Sequence, residues 1–183
     1  MADDPQNVNP PGAPRPDTES MIRVDQAGEY GATRIYAGQL AVLGDRHPAS
    51  RSIARMAEQE RRHRERFDEL TVERGVRPTL LQPFWNRAGF ALGAASALLG
   101  PRAAMACTAA IETEIGRHYA EQLDELGESD PELSEMIAEF QAEEIEHRET
   151  AIAEGAEETP GYPFFSGAIR LGCRLAIAAA KRI

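Results

Sequence analysis

The chain has 183 residues, with 20 Lys and Arg against 30 Asp and Glu, a net charge of −10 and 42% hydrophobic residues. That length supports one domain with a sizeable core, and an acidic surplus of this size excludes nucleic acid as a partner. Cys107 and Cys173 stand alone in apolar runs, which excludes a disulfide framework and suits a reducing compartment.

The first residues, rich in Pro and polar side chains, have no apolar run of the kind a secretory signal carries. They predict a disordered tail over 1–18, ahead of one domain over 19–183. A helix is expected from about Glu19 to Leu43, ended by Gly44, and a second from about Ser50 to Arg74, stopped by Gly75 and Pro78. Residues 84–100 form an apolar helix whose uncharged core runs only from Ala88 to Gly100. That core is well short of the roughly 20 residues a bilayer span needs. Pro101 suits the start of the next helix, about 102–126, closed by Gly127. Asp130 and Pro131 are a good N-cap and first residue for a helix to about Glu154. "TPGYP" then precedes a last apolar helix at about 164–182. Long Ala/Glu/Arg/Leu stretches with few β-branched residues make the fold all-α.

Charge is unevenly spread. Residues 74–111 and 159–183 contain no acid and carry +4 each, which leaves −18 on the rest of the chain. Two basic, apolar segments on an acidic body point to peripheral contact with an anionic lipid surface. In the last helix Arg170, Arg174 and Lys181 share one face of a segment otherwise made of Phe, Ile, Leu and Ala, a pattern suited to lying in the interface with the cations at the headgroups.

The four long helices share one anomaly. In the second, the apolar stripe Ile53, Met56, Phe67, Leu70 is interrupted by Glu60 and His63. In the helix at 131–154, Glu144 and His147 interrupt Leu133, Ile137, Phe140 and Ala151. Glu29 lies between Ile22 and Tyr36, and Glu112 among Met105, Ile115 and Tyr119. Charged side chains are almost never buried unless paired. A lone Glu-x-x-His on an Arg/Glu-rich helix is ordinarily a solvated face, but here the whole set repeats. Glu60 to Glu144 and His63 to His147 share one offset along the chain, and Glu29 to Glu112 departs from it by a single position. Two helical hairpins related in this way bring six side chains to one level of a bundle.

One Glu from each of two helices and Glu-x-x-His from each of the others is the ligand set of ferritin-like di-iron and di-manganese proteins. Four carboxylates balance two divalent metals, so the cluster can be buried neutral. Oxygen ligands with one imidazole per metal suit iron or manganese better than structural zinc. The expected architecture is therefore a ferritin-like four-helix bundle with two additional apolar helices. His118, next to Tyr119, fits equally a place behind the ligands or an ordinary helix flank, and His47 falls in a loop.

"RVDQAGEYGATRIYAGQ", "EQERRHRERF", "CTAAIETEIGRHYAEQL" and "EEIEHRETA" go further than the generic motif, and with "GCRLAIAAAKRI" they resemble the demethoxyubiquinone hydroxylases over about residues 20 to 183. Gln26 stands where many relatives carry His. The resemblance implies that Glu29, Glu60, His63, Glu112, Glu144 and His147 hold two iron ions. Glu60 and Glu144 would bridge them, with His118 and Tyr119 close by. It further implies hydroxylation of a demethoxyubiquinol ring with O₂, with NADH or the quinol as reductant, at the cytoplasmic face of a bacterial inner membrane. No Gly-x-Gly-x-x-Gly follows a strand, so NADH has no Rossmann site. The partners in this reading are a polyprenyl quinol, O₂, the membrane surface, an accessory lipid-binding protein and a second copy of the chain. The rivals are a ferritin-like ferroxidase, disfavoured by the two acid-free apolar segments, and a manganese catalase-like enzyme.

Overall fold

The computed structural model describes residues 16–182. The tail expected over 1–18 therefore lies, up to residue 15, outside the described residues, and Thr18 already opens a helix. Six helices follow in order: α1 (Thr18–Leu43), α2 (Ala49–Glu73), α3 (Gln82–Leu98), α4 (Pro101–Leu126), α5 (Pro131–Ala153) and α6 (Tyr162–Ala180), with a 3₁₀ turn at Ala156–Glu158 before the last. Among the described residues there is no strand.

Local chemistry sets the helix ends. Asp17 accepts the Ser20 amide at 3.0 Å and Asp130 the Leu133 amide at 3.1 Å, each satisfying an otherwise unpaired first-turn N–H. α3 and α6 each begin two residues earlier than their sequences suggest, because Pro83 and Pro163 sit inside the first turn. A proline loses no hydrogen bond there and its fixed φ favours the helix. Gly100, at φ 117°, makes the tight turn that reverses the chain from α3 into α4.

α1 with α2 and α4 with α5 form two hairpins that close into a four-helix bundle. α1 and α4 run antiparallel: Tyr36 bonds Glu112, while Gln39, further along α1, reaches back to the Ala104 carbonyl at 3.0 Å. Apolar layers lie on either side of the polar level. Phe67, Leu133 and Ile137 pack in one, and Ile53, Met56 and Met105 in the other.

The two additional helices cover the bundle. α3 lies directly on the backbone of α1: a Cβ on Gly93 would come within 1.9 Å of the Ile35 carbonyl oxygen, and one on Gly38 within 2.2 Å of the Phe90 carbonyl oxygen. α6 is tied to α4 through Glu114, which is fully buried and accepts from Arg170 Nε at 2.6 Å and Arg174 Nη1 at 3.1 Å. These two arginines, expected at lipid headgroups, are thus drawn toward α4 by a buried carboxylate that an exposed face could not supply. Phe164, Leu171 and Leu175 are left pointing outward. Among the described residues no helix is long and apolar enough to cross a membrane.

Candidate metal centre

All six side chains that interrupt the apolar stripes meet at mid-bundle, each 2% exposed or less. They form two groups, Glu29–Glu60–His63–Glu144 and Glu60–Glu112–Glu144–His147, with one ligand atom per residue and all such atoms within 4.8 Å of one another. Glu60 and Glu144 belong to both. Glu144 spans the pair: one oxygen is 3.1 Å from His63 Nδ1 and the other 3.2 Å from His147 Nδ1. His147 Nδ1 also lies 3.1 Å from Glu60, and His63 Nδ1 lies 3.5 Å from Glu29.

The donor atoms are oriented from outside the cluster. Tyr36 Oη donates to Glu112 at 2.7 Å and Tyr119 Oη to Glu29. His63 Nε2 is 3.0 Å from Glu143 Oε2, and His147 Nε2 is 3.1 Å from Gln59 Oε1. One turn beyond Tyr119 a second buried polar group forms, in which Gln122 Nε2 donates to Asp25 at 2.9 Å and His118 Nε2 lies 3.5 Å from the same carboxylate. Gln26 reaches the other way, donating to Asp68 at 2.8 Å.

Burial and the crowding of like charges set the protonation of this cluster. Desolvation, then repulsion from Glu144, Glu29 and Glu112, lifts Glu60 well above the usual carboxylate range. Desolvation and Glu144 do the same to Glu112. Burial also opposes the charged forms of Glu144 and His63, but the contacts between them outweigh it. Glu144, held also by His147, falls to about 2, and His63, held also by Glu29, rises to about 10. Tyr36 and Tyr119 are raised by burial and by the adjacent carboxylates, so both stay neutral donors. Both oxygens of Glu60, one oxygen each of Glu29, Glu112 and Glu144, and His63 Nδ1 make no aligned hydrogen bond, and where they meet, as His63 Nδ1 meets Glu144, the contact is an ion pair alone. Polar atoms buried without aligned hydrogen bonds are costly, and convergent carboxylates with one inward imidazole per group are a donor set for first-row divalent ions such as iron or manganese. The residues fit a pair of metal ions.

An apolar cavity of about 470 Å³ borders this level. It runs between α1, α3, α4 and α6, and its walls include Ala32, Ile35, Ile115, Phe165 and Ile169. Ala32 is less than a turn from Glu29, and Ile115 less than a turn from Glu112. Cys173 lines the same space and Cys107 is buried nearby; burial pushes both thiols up to about 12, so they are inert packing groups.

The structure brings Tyr119 into contact with Glu29 and leaves His118 one step back, 3.2 Å from Gln122 and 3.5 Å from Asp25. Sequence reasoning missed Tyr36, Gln59 and Glu143. Tyr36 had a signal: it precedes Tyr119 by the same offset that relates Glu29 to Glu112.

Residues 16–180 match the family model described as "Ubiquinone biosynthesis protein COQ7". The chain is 50% identical over 175 residues to a 3-demethoxyubiquinol 3-hydroxylase of Rhodospirillum rubrum, covering 94% of this chain and 82% of that one. It is 49% identical over 168 residues to the mouse protein named NADPH-dependent 3-demethoxyubiquinone 3-hydroxylase, mitochondrial, covering 90% and 77%. Against the yeast 5-demethoxyubiquinone hydroxylase, mitochondrial, identity is 41% over 181 residues, covering 90% and 78%. With the family model matching nearly the whole described chain, and relatives this similar across the helices that carry the cluster, this chain belongs to the COQ7 family of ubiquinone biosynthesis proteins.

Proposed function

We propose that this chain is a di-iron monooxygenase that hydroxylates the ring of a demethoxyubiquinol. One oxygen atom of O₂ enters the ring as hydroxyl and the other leaves as water, with two electrons from NADH, NADPH or the quinol. The observation that carries this reading is the pair of buried ligand groups sharing Glu60 and Glu144, found in a chain whose relatives bear the names of demethoxyubiquinone hydroxylases. Glu29 and His63 would hold one iron, Glu112 and His147 the other, and Glu60 and Glu144 both. When bound, the iron pair supplies the redox chemistry with O₂ that amino-acid side chains lack.

The protein's own part is positioning and exclusion. Tyr119 and Tyr36 fix the outer carboxylates by donating a proton they do not lose. The cavity is lined by Val, Ala, Leu, Ile, Phe, Trp and Cys side chains and by glycine backbone, so it keeps water from the ring and accepts an isoprenoid tail. Ala32 and Ile115, which line that cavity, lie less than a helical turn from Glu29 and Glu112 and give the ring its approach to the centre.

So apolar a substrate stays in the bilayer, and the enzyme must come to it. Phe164, Leu171 and Leu175 on the outer face of α6, with Phe84 at the start of α3, form an apolar surface beside the cavity for peripheral docking. The functional test is complementation. In a ubiquinone-deficient host lacking this hydroxylase, the chain should restore ubiquinone and remove the demethoxy precursor. Glu144→Ala should do neither and should retain little iron. Restoration by Glu144→Ala, or failure by soluble, iron-loaded wild type, would overturn the proposal. A large hollow particle that stores iron would favour the ferroxidase.

A further inference from the structure

The ligand sets of the two halves match each other, but the groups behind the histidines do not. Gln59 and Glu143 immediately precede Glu60 and Glu144, so they occupy one and the same place in the two hairpins. One is a neutral amide and the other a carboxylate. Gln59 Nε2 donates to Glu143 Oε2 at 3.1 Å, which turns Gln59 Oε1 toward His147 Nε2, also at 3.1 Å. Glu143 Oε2 faces His63 Nε2 at 3.0 Å. Amide and carboxylate oxygens accept only, so Nε2 of each ring is a donor and Nδ1 faces inward, where a metal ion would displace any proton it holds, and the network fixes the Gln59 amide as well.

The two imidazoles are therefore alike in tautomer and unlike in backing charge. A carboxylate behind a ligating imidazole makes it a stronger donor, and removing such a partner typically costs 10- to 100-fold in metal affinity. The Arg62 guanidinium approaches Glu143 at 3.5 Å but is 53% exposed, so its compensation is screened. The crossed tyrosine bonds do not create the difference, because each outer carboxylate has one.

We infer that Gln59 and Glu143 make the two metal positions unequal, with a divalent cation held more tightly by Glu29 and His63 than by Glu112 and His147. Both are positioning residues that act through a ring nitrogen. The inference rests on the dimetal reading above, and the experiment separates the two.

The full chain is loaded with Fe(II) without oxygen, its iron content is measured, and release to a ferrous chelator is followed. Two irons per chain leaving in two phases is the expected result. Glu143→Gln should accelerate the slow phase 10- to 100-fold and merge it with the fast one. The double exchange, Gln59→Glu with Glu143→Gln, restores the hydrogen bond in the opposite sense and should bring two phases back. A merely structural role for Glu143 would not be rescued by a charge on the other helix. The ⁵⁷Fe Mössbauer spectrum should show two doublets in wild type that converge in Glu143→Gln. Single-phase release from two-iron wild type, an unaltered slow phase in Glu143→Gln, or a folded double exchange without the second phase would overturn the inference. Fewer than two metal ions per chain would overturn the dimetal reading and this inference with it.

Discussion

Each outer carboxylate of the centre is held by a phenol from the opposite hairpin, Tyr36 on Glu112 and Tyr119 on Glu29. Tyr36→Phe keeps the ring's packing and removes only the donor, leaving one more buried carboxylate oxygen without a partner. The expected cost is about 1–3 kcal/mol, read as a lower melting temperature in metal-free protein, with a smaller loss once metal is bound. An unchanged melting temperature in both states would show that the bond contributes nothing. That these six side chains gather at one buried level was legible in the sequence because each breaks an apolar stripe, and an unpaired buried charge requires compensation. Tyr36 was not, because a tyrosine in such a stripe is ordinary packing until its hydroxyl is given a partner. Gln59 and Glu143 lie on flanks where polar residues are expected, and only the fold aims them at ring nitrogens.

Helix order and number followed from capping and breaking residues, but how the helices touch did not. The apolar helix around Ala88–Gly100 reads equally as a lipid-facing or a packed element. α3 in fact sits on α1 so closely that Gly93 has no room for a side chain. Hydrophobic period reports which face is apolar and says nothing of interaxial distance. Gly93→Ala should therefore cost about 1–3 kcal/mol through displaced backbone despite its gain in helix propensity. Gly116→Ala in α4, where a Cβ meets nothing within 4 Å, should gain about 0.5–1 kcal/mol. Denaturant midpoints moving in opposite directions would check both. At the α5 N-terminus burial pushes the Asp130 carboxyl up, but Arg74 and the Leu133 amide outweigh it and hold it below its usual value. A lowered carboxyl stabilises the fold above its unfolded value, near pH 4, and stops doing so as pH falls through the folded one. Asp130→Ala should thus cost about 1 kcal/mol at neutral pH and distinctly less at pH 3, in paired urea titrations.

For the whole molecule, the acid-free, cationic segments 74–111 and 159–183 and the apolar outer face of α6 predict how it meets a bilayer. The chain should sediment with anionic liposomes, less so at high salt, and replacing Leu171 and Leu175 by Ser should weaken binding at every salt concentration. Equal pelleting of both forms would place the contact elsewhere. The sequence marked this surface by composition, but it sent Arg170 and Arg174 to the headgroups because the buried acid that claims them, Glu114, lies on another helix. The crossing of ligands between hairpins has one more consequence. Each prospective metal position draws on both halves of the bundle, so neither hairpin can load alone, and mutual repulsion among four buried carboxylates falls on the newly made chain until both are paired. Stability gained by binding scales with the free concentration of what is bound, and unfolded chains in cells are removed by proteases. If the bound ions are iron, the number of enzyme molecules in a cell becomes a readout of its iron supply, with no dedicated regulator between the nutrient and quinone synthesis.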